Sequence, residues 1–133
     1  MPNRAWLVER GAMLRTVALA ALLSAQGCSL ITGDCNSIGY PGVIATVRDA
    51  RTQLPPASNV TLTLRDGPYV EVRTSPAYGP GEYTLAMSRE GVYSLTVEAA
   101  GYQTFVQNDL VVRGGSCTKV TTNNVAVQLI PIP

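Results

Sequence analysis

The chain has 133 residues, enough for one domain, with ten basic and nine acidic side chains and no histidine. From Cys28 onward, seven basic side chains are set against eight acidic ones without a basic stripe, so no nucleic acid partner is expected. The missing histidine excludes a histidine-based serine triad and removes the commonest zinc ligand and general base.

The first elements in chain order concern export. Arg4, Arg10 and Arg15 stand against a single acid, Glu9, and lead into the uncharged run Val17–Ala25. A positive stretch, a short apolar run and small residues at its end form a secretory signal over residues 1–27. The run is too short to span a bilayer, which needs about 20 residues. Met13 is an alternative start, since the stretch after it is a complete short signal. Ala25-Gln26-Gly27-Cys28 then resembles the lipobox of bacterial lipoproteins, a small residue before an obligatory cysteine. The resemblance implies cleavage before Cys28, diacylglycerol on its sulfur, and an acyl chain such as palmitate on the freed amine. Two or more chains anchor stably where one binds marginally. Residues 28–41 then form a lipid-anchored tether, and the membrane is a partner through that lipid. Ser29, not Asp, follows the cysteine. The resemblance therefore places the chain in the bacterial cell envelope, on the outer membrane of a host with two. Ordinary secretion, with cleavage after Ala25 or Gly27 and a third structural cysteine, is the alternative.

From residue 42 the pattern has period two. Val43, Ala45 and Val47 form one apolar face, and Val60, Leu62 and Leu64 alternate with Thr61, Thr63 and Arg65. After the Asp66-Gly67-Pro68 turn, Val70 and Val72 alternate with Glu71 and Arg73. The Gly79-Pro80-Gly81 breaker precedes Tyr83, Leu85 and Met87; Tyr93, Leu95 and Val97 follow. Gly101 turns the chain into Tyr102–Val106, then come the short run Leu110–Val112 and the alternation Val125, Val127, Leu129. These make seven or eight short strands with no helical period after Cys28. The fold class is all-β: an antiparallel sandwich over residues 42–133 following an N-terminal helical signal segment, with a small barrel as the alternative. Each single-faced sheet must bury its apolar side against another. Recurrent glycine–tyrosine units at Gly81, Gly91 and Gly101 mark strand-plus-turn lengths.

Three of those elements carry a resemblance: Gly81-Glu82-Tyr83, Tyr93-Ser94-Leu95-Thr96-Val97 and Ala100-Gly101-Tyr102. Together they resemble the carboxypeptidase regulatory-like domain, a transthyretin-like sandwich. Upstream, Gly42–Asp49 and Ala57–Leu64 match its first two strands; Val125–Pro131 matches the closing one. The resemblance implies a fold and a non-catalytic module. No enzyme is expected, and no cofactor beyond covalent lipid on Cys28. The expected function is that of a membrane-anchored lipoprotein that binds a membrane-proximal protein or supports envelope assembly. A glycan- or small-ligand-binding surface lipoprotein is the alternative.

Candidate chemistry is sparse. Asp49 and Asp109 are the carboxylates to weigh as a pair, without supporting spacing, and Asp34, Asp49 and Asp66 do not form an EF-hand loop. Asp34 and Asp49 read as turn formers. Tyr83 and Tyr93 fall on core faces, and Tyr102 pins a corner as tyrosines do in sandwiches. Tyr40, Tyr69 and Tyr78 read as loop-borne and are the candidate ligand contacts. With Cys28 assigned to lipid, Cys35 and Cys117 remain in an oxidising compartment and are expected to pair. Closing a loop this long stabilises by about 4.5 kcal/mol in the chain-entropy model. From Cys28 to Cys35 an extended chain reaches at most roughly 25 Å. A domain roughly 30 Å across would therefore ride close to its membrane.

Overall fold

The computed structural model describes Cys35 and residues 38–133. The signal, Cys28 and most of the expected tether lie outside these residues. Among those described, no helix is long and apolar enough to cross a membrane.

Seven strands form: β1 (Pro41–Asp49), β2 (Val60–Asp66), β3 (Tyr69–Arg73), β4 (Glu82–Met87), β5 (Gly91–Ala99), β6 (Phe105–Val112) and β7 (Asn123–Leu129). They make a sandwich of a three-stranded sheet, β4-β1-β7, and a four-stranded sheet, β3-β2-β5-β6. The expected β-sandwich is present. One ladder departs from the antiparallel expectation: β1 and β7 run parallel, from Val43 opposite Asn123 to Asp49 opposite Leu129. Every other pairing is antiparallel.

Period two delivers the core directly. Val43, Ala45 and Val47 of β1 meet Leu62 and Leu64 of β2, Leu85 of β4, Leu95 and Val97 of β5, and Val127 and Leu129 of β7, all fully buried. Tyr83 and Tyr93 are in the core, as expected. Burying such side chains stabilises by about 1.5–3 kcal/mol each.

Three strands depart from simple alternation. In β4, Ala86 takes a left-handed φ of 53°. That local twist turns Ala86 inward and leaves Met87 exposed without shifting the register against β1, although the alternation had put Met87 in the core. In β6, Asp109 takes φ 58° and stays exposed, with Leu110 buried after it. The register against β5 shifts there, so Tyr102–Val106 and Leu110–Val112, read as separate runs, fall largely within one bulged strand. In β3 the phase is opposite to the apolar pattern. Val70 and Val72 face solvent while Glu71 is turned inward and half-buried.

Glu71 has a reason to point inward. Its Oε2 accepts the backbone N–H of Ala86 at 2.8 Å, which joins edge strand β3 to edge strand β4 of the other sheet. On the other side, Asn123 Nδ2 donates to the carbonyl of Val111 at 2.8 Å and joins β7 to β6. Both seams are thus bridged by a polar side chain, which occupies edge groups otherwise open to a further strand.

Candidate functional site

The loops gather at two ends of the sandwich. At one lie the entry to β1, the turns β2–β3 and β4–β5, and the β6–β7 hairpin; this is the Cys117 end. At the other lie the loops β1–β2, β3–β4 and β5–β6 and residues 130–133; this is the Tyr102 end.

At the Cys117 end, Cys35 and Cys117 form the expected disulfide, with Cα atoms 4.9 Å apart across a sequence separation of 82. Cys117 and Thr118 both adopt left-handed φ values of 59°. The Lys119 N–H returns to the Ser116 carbonyl at 3.3 Å, the geometry of a tight primed turn. Gly115 N–H donates to the Lys119 carbonyl at 2.7 Å and closes the hairpin. Gly114 lets the hairpin approach Glu90, whose carboxylate a Cβ at that position would strike. The Gly114 N–H donates to Glu90 Oε2 at 3.2 Å.

Between these groups lies an open depression of about 330 Å³, lined by Ser88, Glu90, Gly114, Gly115, Thr118 and Lys119, with Val120 beside them. Lys119 Nζ sits 6.0 Å from the Tyr40 ring centroid. Ser88 Oγ accepts the Tyr40 N–H at 3.1 Å.

Beside the depression is a cluster that sequence reasoning missed. The Arg89 guanidinium lies 3.8 Å from the Tyr69 ring centroid and 5.6 Å from that of Tyr93. Its Nη1 donates to Tyr93 Oη at 2.7 Å and to Asp66 Oδ2 at 3.1 Å. The Tyr93 hydroxyl donates in turn to the Arg89 carbonyl at 3.0 Å. The bond to Tyr93, and then that to Asp66, raise the Arg89 pKa above its ordinary value. Tyr69 opens β3 instead of lying in a loop, and its hydroxyl donates to Glu71 Oε2 at 2.9 Å. Burial first, then that bond, raise the Tyr69 pKa. This cluster fastens the β2–β3 turn to the β4–β5 turn.

At the Tyr102 end, Asp49 is the buried charged residue among those described. Its Oδ2 accepts the Tyr102 hydroxyl at 2.7 Å, and its Oδ1 accepts the N–H groups of Arg51 and Thr52 at 2.7 and 3.1 Å. The Tyr102 bond, followed by the two backbone bonds, lowers the Asp49 pKa. Asp49 is thus the expected turn former, and Tyr102 pins the corner by tying one sheet to the other. Asp109 lies toward the opposite end of β6, so the structure does not bring the two carboxylates together. The β3–β4 loop closes where Gly81, at φ 78°, passes the Val47 carbonyl; a Cβ there would lie 2.6 Å from that oxygen.

The three candidate contact tyrosines divide between the ends. Tyr40 and Tyr69 are half-buried at the Cys117 end, and Tyr78 is 71% exposed in the β3–β4 loop. Leu54, Ile130 and Ile132 are also more than half exposed near that loop's end of the molecule. No metal-ligating cluster of His, Cys, Asp or Glu occurs among the described residues.

No protein-family model and no curated protein matches the chain. Among solved structures it is similar to a Bacteroides uniformis protein proposed to bind carbohydrate. The TM-score is 0.47 at 17% identity, covering 69% of this chain and 43% of that one. The chain thus spans less than half of that structure.

Proposed function

We propose that this protein is a lipid-anchored, non-catalytic module of the cell envelope, of carboxypeptidase regulatory-like type, which binds a membrane-proximal protein or supports an envelope assembly. The observation that supports it is the Cys35–Cys117 disulfide. Cys35 follows Cys28 by seven residues, so a lipid on Cys28 would hold the Cys117 end near the bilayer. The Tyr102 end would then point away from it, carrying exposed Leu54, Tyr78, Ile130 and Ile132. Exposed apolar side chains at the end directed away from the bilayer fit a protein contact. Glycan binding is the weaker reading, because an aromatic platform needs adjacent rings and the three candidate tyrosines are split between the ends.

Two measurements test this. Intact mass of the protein from the membrane fraction should show acyl mass on Cys28; a mature chain without it ends the anchored reading. Photocrosslinkers at Tyr78 and Ile132 should capture one common protein in intact cells, whereas one at Thr63 on the outer sheet face should not. Equal capture from all three positions would remove the proposed contact end.

A further inference from the structure

We propose that the depression at the Cys117 end binds a small zwitterion carrying a phosphate and a primary ammonium, the chemistry of a phosphoethanolamine lipid headgroup. This rests on the anchored reading for its source of ligand, though the site itself does not.

The groups in the depression set the chemistry. Lys119 and Glu90 both line it, yet no ion pair joins them, and Lys119 has none among the described residues. Its only described attraction is to the Tyr40 ring at 6.0 Å, the outer limit of a cation–π contact. Glu90 commits one oxygen to the Gly114 N–H and leaves Oε1 without a described partner. Ser88 Oγ accepts the Tyr40 N–H, so its own hydroxyl hydrogen is available to donate into the depression. A bare anion would meet Glu90, and a bare cation would meet Lys119. A ligand with both charges satisfies both groups: phosphate oxygens toward Lys119 Nζ and Ser88 Oγ, ammonium hydrogens toward Glu90 Oε1. A volume of about 330 Å³ leaves room for such a molecule together with water. Choline fits poorly, because its quaternary nitrogen has no N–H for Glu90.

Location favours the lipid source. The wall of the depression is the hairpin that carries Cys117, and the disulfide ties that hairpin to Cys35, seven residues after the expected lipid attachment. An anchored domain would present this depression to headgroups at the bilayer surface.

Lys119 is the chain's only lysine, so ¹³C-lysine labelling of the full-length protein gives one Cε signal from this site. In detergent, soluble O-phosphoethanolamine should shift that signal saturably. Phosphocholine and inorganic phosphate should bind about tenfold more weakly, as loss of one charge-assisted hydrogen bond predicts. Glu90→Gln, which can still accept the Gly114 N–H, should abolish the preference for phosphoethanolamine. In nanodiscs, adding phosphatidylethanolamine to phosphatidylcholine should produce the same shift. No saturable shift with any soluble probe overturns the site, and equal affinity for phosphocholine or phosphate overturns the zwitterion. A shift with the soluble headgroup but none in phosphatidylethanolamine nanodiscs overturns the lipid source. Because the soluble titration needs no anchor, its result is independent of the Cys28 mass measurement.

Discussion

At the Cys117 end, side chains brace the turns, Arg89 on Asp66 and Tyr93, Tyr69 on Glu71, Glu90 on Gly114, with a disulfide closing the set, while Lys119 and one Glu90 oxygen stay open to the depression. At the Tyr102 end, one buried carboxylate and one tyrosine tie the sheets together, and the surrounding loops leave Leu54, Tyr78, Ile130 and Ile132 open to water. Two of the turns at the first end are braced mainly by side chains, whereas at the second the backbone also ties residues 101–103 to residues 130–132, so the body stays closed while apolar side chains remain exposed. The contrast separates an end braced around a polar depression from an end whose loops carry exposed apolar side chains.

Breaking the disulfide should have the largest effect on this contrast. Cys117→Ser is expected to lower stability by up to about 4.5 kcal/mol. Amide hydrogen exchange should rise in residues 113–120 first, while Ala99–Tyr102 keep their protection; uniform loosening would deny that the ends are held separately. Next, Tyr93→Phe removes the hydroxyl that accepts from Arg89 and donates to its carbonyl, at a cost of about 1 kcal/mol in denaturant melts.

The pin at the other end should show a pH signature. The Asp49 pKa is depressed in the folded state, so its contribution is complete above the ordinary value of 3.8 and is lost as pH falls through the lower folded value. Tyr102→Phe should therefore lower the thermal midpoint at pH 7, and the gap from the parent should shrink in strong acid. On the alkaline side, the raised Tyr102 pKa means the contribution is complete below 10.0 and is lost as pH rises through the higher folded value. A gap independent of pH would mean that ring packing, not the hydrogen bond, holds the corner. Smallest of all, Tyr78→Ser and Ile132→Ser should change stability by less than about 0.5 kcal/mol. Their effect should appear as lost crosslinking in cells.

Strands with one apolar face were legible from sequence because burial acts on alternate residues, and Val60–Leu64 and Tyr93–Val97 fall as their pattern requires. The disulfide was legible from the cysteine count and Tyr102 from its place in a corner. The twist at Ala86 and the bulge at Asp109 were not, since these residues differ from ordinary strand residues only in φ. The inverted phase of β3 escaped because Glu71 points inward for a partner, the Ala86 N–H, on a strand it does not pair with. The Arg89 cluster escaped for the same reason: an arginine in a turn carries no period, and only the folded chain stacks it on Tyr69. The candidate depression likewise needs the hairpin to close on Glu90 before Lys119 and Ser88 share a wall.

The parallel pairing of β1 with β7 has a mechanical meaning. Both strands start at the Cys117 end and run the same way, and the disulfide joins the segments that lead into them. A pull on the chain at Cys35, resisted at the Tyr102 end, would pass through the disulfide into the β6–β7 hairpin as well as into β1. The load would then reach β7 by a covalent path as well as through the rungs from Val43–Asn123 to Asp49–Leu129, so both strands would be pulled in the same sense and the ladder between them spared shear. A domain wired in this way can serve as a fixed post under tension.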